Sequence, residues 1–343
     1  MRTGADLTIG AYSIRKAMDM KKCFLIMLCM IILSFFPVYA ESITLNWSAL
    51  NTENDEVTEN TSETADEASR LCVDIGFYLN GAAPGDRLDE ALIHQVLNTI
   101  KPFAHTLRLY ASSDELAKVY PLAHADGFDI IAGAWLSGNE TDDRKELDAL
   151  IEHCRSGYAT TACVGSETLL RGDLDAKTLA GYIQYVRDAL EEYDITITTA
   201  DEISYLMKYP EIADSCDILF VNYYPYWSGI DIVNALPALD TAVRSLQNQY
   251  PDKKVMISET GYPTDGTGLS GELTDSETAA LYYSQVFEWS RQTGIEVCYF
   301  ECIDESWKAS AEGAPGAHWG FLNSDLTVKD CYLNTPVFKG IYN

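Results

Sequence analysis

The sequence predicts an α/β fold, a single TIM (β/α)8 barrel, and three observations carry that prediction. Short apolar runs bounded by turn residues occur eight times, alternating with stretches of helical periodicity. The alternation occupies roughly 270 residues, an ordinary size for such a barrel. Carboxylates and aromatics collect at the C-terminal ends of the runs, where a barrel of this kind builds its chemistry. A doubly wound open sheet is the alternative, but no Gly-x-Gly-x-x-Gly turn follows the first run.

Two segments precede the barrel. Residues 1–40 read as an N-terminal extension and secretory signal peptide. Lys21-Lys22 lead into an apolar run from Cys23 to Pro37, and Val38-Tyr39-Ala40 sets small residues where a signal peptidase reads, so cleavage is expected after Ala40. About fifteen apolar residues are too few to span a membrane comfortably. Cys29 follows a leucine, which argues against a lipoprotein. The mature chain is therefore expected to be secreted or extracytoplasmic, free of the membrane. Residues 41–70 are rich in Glu, Asp, Thr, Ser and Asn and read as a disordered acidic linker. Residues 71–343 form the expected catalytic barrel domain.

The 343-residue chain has a formal net charge of −28. Beyond residue 40 it holds 19 basic against 50 acidic residues, a balance of −31. Such a surface repels phosphate backbones and anionic lipids, which argues against nucleic acid and suits an uncharged ligand. A monomer is expected. Nine cysteines fall to seven once Cys23 and Cys29 are removed, and an odd number leaves at least one free thiol. Cys72, Cys163, Cys298 and Cys302 lie in apolar runs and read as small buried hydrophobes. No pattern of ligand pairs suggests a metal, and no cofactor is expected.

Taken in order, the strand-like runs fall at 71–79, 106–111, 129–136, 160–166, 195–200, 218–224, 254–259 and 296–302. Ser113 caps a predicted helix over 114–126, which Gly127 stops. Asp175 caps another over 176–193, whose Leu179, Tyr182, Ile183, Val186 and Leu190 share one face. Thr274 opens a third that runs to about Thr293, with Gly294 just beyond it. The strand ends then carry Tyr78, Tyr110, Trp135, Ser166-Glu167, Asp201-Glu202, Tyr223 to Trp227, Glu259, and Glu301 to Lys308. Carboxylates supply acid and base, and aromatic faces stack on the apolar C–H faces of sugar rings.

Glu259 closes Lys254-Val-Met-Ile-Ser-Glu259, a buried strand end where a carboxylate needs a reason to be. Glu167 closes the fourth run. The plain alternatives are a structural Glu259 held by a nearby Arg or Lys, and a surface pair between Glu167 and Arg171 at helical spacing. The fourth and seventh strands of a barrel face each other across its mouth, so two carboxyls there flank one bond. Glycoside cleavage with retention uses such a pair at ~5–5.5 Å, one as proton donor and one as nucleophile.

Four stretches in order carry a family resemblance: Val164-Gly-Ser-Glu167, Val221-Asn-Tyr-Tyr-Pro-Tyr-Trp227, Ile257-Ser-Glu-Thr-Gly-Tyr-Pro263 and Phe300-Glu-Cys-Ile-Asp-Glu-Ser-Trp-Lys308. Together they resemble glycoside hydrolase family 17, the β-1,3-glucanases and related glucosyltransferases. Gly316-Ala-His-Trp-Gly-Phe321 resembles the bacterial branch. The resemblance runs from about residue 71 onward. It implies a retaining hydrolase or transglycosylase of β-glucan that needs no cofactor. In it Glu167 matches the acid/base and Glu259 the nucleophile, while Glu305 and Lys308 match a carboxylate and lysine that accompany the pair. Tyr110 and Tyr224 match tyrosines near the nucleophile, and Trp227 and Trp307 are candidate stacking surfaces. One position departs: the family places Asn before the acid glutamate, to engage the sugar 2-hydroxyl, and this chain has Ser166. The expectation is reduced activity, specialisation, or recovery of the contact through a bridging water. A glucan-binding protein with decayed catalysis, or a related β-glycosidase of another linkage, is the rival.

Overall fold

Eight parallel strands close into one barrel in sequence order, with the last paired to the first. The structure is a computed structural model that describes residues 71–267 and 274–342. The signal peptide and acidic linker expected over 1–40 and 41–70 lie outside the described residues. The strands are β1 (Leu71–Asp74), β2 (Ala104–Arg108), β3 (Asp129–Ala134), β4 (Thr161–Ser166), β5 (Thr196–Glu202), β6 (Ile218–Asn222), β7 (Lys254–Thr260) and β8 (Val297–Tyr299). All eight expected strands are present, and the open sheet is excluded. Several are shorter than the apolar runs that announce them, because residues such as 75–79 and 300–302 leave the ladder to build the mouth.

The helices that follow the strands are α1 (Glu90–Ile100), α2 (Val119–Ala125), α3 (Glu140–Arg155), α4 (Ala176–Ala189), the short pair α5 (Ile203–Lys208) and α6 (Pro210–Ser215), α7 (Ile232–Gln249) and α8 (Ser276–Thr293). Asp175 caps α4 as expected, accepting from the Thr178 amide at 2.7 Å. That helix ends at Ala189, four residues early, since Glu191 and Glu192 would set negative charge against the negative end of the helix dipole. Helix α8 is capped by Asp275 rather than Thr274, and Gly294 ends it in the left-handed conformation.

Ser113 does not cap. Its hydroxyl bonds the buried Glu146 carboxylate of α3, which also gathers the amides of Ser112 at 2.9 Å and Trp135 at 3.3 Å. The chain after Ser113 starts as a 3-10 turn over Asp114–Lys118 and becomes α-helical only at Val119.

A large cluster fills the layer between strands and helices, while Cys72, Ile131, Cys163, Ala200, Phe220, Met256 and Cys298 pack as a separate small one. These alternate along the strands with residues of the large cluster, so they occupy the barrel lumen. Cys72 and Cys298 are not free hydrophobes but a disulfide between register partners on β1 and β8, their Cα atoms 4.4 Å apart. Two residues above Cys72 on the same face comes Asp74, and two above Phe220 comes Asn222. The lumen thus turns from apolar to polar toward the C-terminal mouth.

Candidate active site

Glu259 is the residue around which the mouth is assembled. It lies near the end of β7, only 5 % exposed. Its Oε1 accepts from Arg108 Nη1 at 2.7 Å and from Ser166 Oγ at 3.2 Å, and its Oε2 accepts from the Tyr224 hydroxyl at 2.8 Å. Arg108 ends β2 and is fully enclosed. Its Nη1 also reaches Asp74 Oδ1 at 2.8 Å, and its Nη2 donates to Ser166 Oγ at 3.0 Å. Strands β1, β2, β4 and β7 thus meet in one hydrogen-bonded network, with Tyr224 joining from beyond β6.

Glu167 follows β4 directly. Gly165 precedes it at φ +84°, where a Cβ would come within 2.8 Å of the Thr168 side chain. Glu167 itself has φ 53°, a left-handed conformation that costs a non-glycine residue on the order of 1–3 kcal/mol and that gathers at functional sites. Asn222 Nδ2 donates to Glu167 Oε1 at 3.2 Å, while Asn222 Oδ1 is itself held by Ser258 at 2.7 Å. Burial first, then the negative charges of Glu259 and Asp201, push the Glu167 carboxyl up to about 8, against the Asn222 bond and the pull of Arg171. The surface pair with Arg171 does not form. That guanidinium bonds the carbonyls of Ser166 and Leu136 and the Asp173 carboxylate, and lies over the Trp135 ring.

The third group stands beyond β8. Lys308 Nζ lies 2.9 Å from Glu305 Oε2 and also bonds Glu301. Burial disfavours its charge, but Glu301 and Glu305 hold the ammonium well above its usual range. Glu305 Oε1 accepts the Tyr78 amide at 2.9 Å. Gly76 makes room for it, since a Cβ there would fall 2.4 Å from that oxygen. The Tyr110 ring lies against Arg108, 4.6 Å from the guanidinium carbon. The Tyr110 hydroxyl, Glu301 Oε1 and Trp307 Nε1 are buried without a hydrogen-bond partner. Half-buried Trp227 packs on Tyr226 and on the enclosed Trp319, at centroid distances of 4.8 and 5.7 Å.

Chemically, the mouth offers one carboxylate balanced by a cation and two hydroxyls, and a second carboxyl that retains its proton to neutral pH. Such divergent environments are how a carboxyl pair divides acid and nucleophile roles. A separate cavity of about 710 Å3 opens at the opposite end of the barrel, lined by strand starts such as Leu71, Thr161 and Lys254. None of the paired carboxyls described above lines it.

Residues 78–320 match the family described as the BtgE/BtgC glycoside hydrolase domain. The chain belongs to that family. It is 30% identical over 266 residues to the glucan 1,3-beta-glucosidase BGL2 of Candida albicans, covering 69% of this chain and 86% of that one. A glucan 1,3-beta-glucosidase of Arthroderma benhamiae is 30% identical over 287 residues, covering 76% and 91%. Among solved structures, the glycoside hydrolase family 17 beta-1,3-glucanosyltransferase of Rhizomucor miehei superposes with a TM-score of 0.69 at 26% identity, covering 79% of this chain and 98% of that one. An active-site mutant of the Rhizomucor enzyme in complex with laminaritriose gives 0.68 at 27%, covering 77% and 97%. This glycoside hydrolase therefore has solved relatives with the same barrel.

Of the residues singled out from the sequence, Ser166, Tyr224 and Glu259 are joined directly by hydrogen bonds, with Tyr110 packed on their shared Arg108 and Glu167 beside them. Glu305 and Lys308 form their pair, with Trp307 next to it. Sequence reasoning placed Glu301 at the last strand end without giving it the Lys308 bond, and it missed Arg108, Asp74 and Asn222. Arg108 had the clearest signal, a lone cation inside the strand-like Leu107-Arg-Leu-Tyr110. Asp74 and Asn222 gave a weaker signal, a polar residue in an otherwise apolar run.

Proposed function

We propose that this chain is an exported retaining glycoside hydrolase or transglycosylase that acts on β-1,3-linked glucan through Glu167 and Glu259. One observation carries the reading: the two carboxyls at the ends of β4 and β7 have opposite surroundings, Glu259 beside a cation and Glu167 pushed up to about 8 by burial and by the charge of Glu259. Glu167 in its acid form gives its proton to the glycosidic oxygen as the C1–O bond breaks, and Glu259 bonds to C1 from the other face. Glu167, now a carboxylate, takes a proton from water or from an acceptor sugar hydroxyl, whose oxygen displaces Glu259 and restores the original anomer. The names of the relatives, beta-glucosidases and glucanosyltransferases of 1,3-linked glucan, support the linkage and both fates. In this reading Tyr110, Tyr224, Trp227, Glu305, Trp307 and Lys308 bind and orient the sugar, with Ser166 beside the nucleophile.

The remaining parts of the reading rest on sequence. Export follows from the signal expected in residues 1–40, and among the described residues no helix is long and apolar enough to cross a membrane. Neutral glucan suits the acidic surface; a monomer without cofactor is the simplest form. Placement in the bacterial branch rests on Gly316 to Phe321, whereas the relatives named above are fungal. The decayed-binder alternative loses ground because Ser166 is integrated with Glu259 and Arg108 rather than left idle. Product analysis on β-1,3-, β-1,6- and mixed-linked glucans tests the proposal. Release or transfer of β-1,3-linked oligosaccharides is expected, and turnover of none of the three refutes it.

A further inference from the structure

We propose, resting on the function proposed above, that Ser166 is a positioning residue for Glu259 and does not read the 2-hydroxyl of the substrate sugar. The donors and acceptors carry the argument. A guanidinium only donates hydrogen bonds, and Arg108 Nη2 lies 3.0 Å from Ser166 Oγ. That contact uses a lone pair of the serine and leaves its single proton to be placed. A carboxylate only accepts, and Glu259 Oε1 lies 3.2 Å from the same Oγ. The proton therefore goes to Glu259, and none remains for a sugar.

The surroundings hold that arrangement in place. Arg108 is 1 % exposed and clamped between Asp74 and Glu259, so its Nη2 has one direction in which to point. Ser166 is 5 % exposed, the last residue of β4, paired in register with Ala200 of β5. The left-handed backbone of Glu167 then separates two consecutive side chains, Ser166 toward Glu259 and Glu167 toward Asn222. An asparagine in the place of Ser166 reaches farther than a serine hydroxyl. The serine is short enough to stop at the nucleophile.

The test compares two aryl β-laminaribiosides, one of which lacks the 2-hydroxyl on the ring that carries the aryl group. A residue that acts through the nucleophile gives the same factor on both; one that reads the hydroxyl matters only where the hydroxyl exists. Ser166→Ala is expected to lower kcat/KM about tenfold on both donors, the loss of roughly one hydrogen bond to a charged group. Ser166→Thr, which keeps the hydroxyl, is expected to restore most of it. Should the alanine variant not fold, Ser166→Cys is read by the same criterion. A loss confined to the donor with the 2-hydroxyl, or no loss at all, overturns the role. Labelling of the wild type with a 2-deoxy-2-fluoro glycosyl donor separates this outcome from failure of the parent reading. No label on Glu259 removes the proposed function, whereas a label on Glu259 with a hydroxyl-dependent loss removes only the role of Ser166.

Discussion

Arg108 holds Glu259 at 2.7 Å while the same nitrogen holds Asp74 at 2.8 Å, so one enclosed cation serves two carboxyl groups. Burial pushes Asp74 up to about 8, against the pull of Arg108 and with the charge of Glu259 adding to the rise. Burial thus favours the acid form of Asp74, which leaves the charge of Arg108 to its contact with Glu259. Removing one member of a buried pair typically costs about 3–5 kcal/mol, because the other charge is left uncompensated. Arg108→Met is expected to lose that much stability and all turnover. Adding Asp74→Asn should return little of the stability and none of the turnover, because the uncompensated charge is that of Glu259. Urea unfolding and a glucanase assay on both variants check this, and recovered turnover in the double variant contradicts it.

Glu259→Ala is expected to abolish turnover while the protein still folds, since the side chain lies at a strand end above the apolar lumen. With azide and an activated aryl glycoside, the variant should form a glycosyl azide of inverted anomeric configuration, the small anion entering where the carboxylate stood. Product analysis by NMR reads the anomer. Hydrolysis at the wild-type rate ends the assignment.

Glu167 provides a pH prediction of definite sign. With its carboxyl pushed up to about 8, kcat/KM should fall on the alkaline side as the acid form is lost near that pH. Glu167→Gln should lack this limb on donors with acidic phenol leaving groups, which depart without protonation. Natural glucan should suffer far more than such donors. Stability follows the same proton. A carboxyl raised in the folded state binds more protons there than in the unfolded chain, so folding stability falls as pH rises from about 4.5 to about 8. Asp201 and Glu312, each pushed up to about 7 chiefly by burial, act in the same direction. Denaturation midpoints between pH 5 and 8 should therefore decline, and less steeply in Glu167→Gln; a rising curve disproves the assignment of the proton.

The barrel was legible because its signals are local. Val255, Met256 and Ile257 announce β7 by composition alone, and Gly294 ends α8 by the one property that sets it apart. Glu167 and Glu259 were legible for the opposite reason, as charges at the ends of apolar runs. What stayed hidden depends on residues far apart in the chain. Arg108 and Glu259 are 151 residues apart, and nothing beside either one names the other. Ser113 reads as a cap until Glu146, 33 residues on, is seen to claim its hydroxyl. Cys72 and Cys298 read as core residues because the closure of β8 on β1 is a property of the whole barrel.

That closure leads to the last prediction. β1 and β8 share only two register pairs, Cys72 with Cys298 and Val73 with Tyr299, so the seam has few ladder bonds, and the disulfide lies across it. The bond ties residues 226 apart in sequence, and a cross-link over so long a loop removes many conformations from the unfolded chain. Cys298→Ser is expected to cost about 2–4 kcal/mol. The same loss should follow when the wild type is unfolded in the presence of a reductant, and the reductant should then have no further effect on the variant. Thiol titration of the denatured protein gives an independent count. With the pair oxidised, the described residues contain five free cysteines, Cys154, Cys163, Cys216, Cys302 and Cys331. A mature chain lacking residues 1–40 should therefore titrate five thiols, and seven only after reduction. Seven before reduction would show the two sulfurs to be separate thiols and return Cys72 and Cys298 to the role of small core residues.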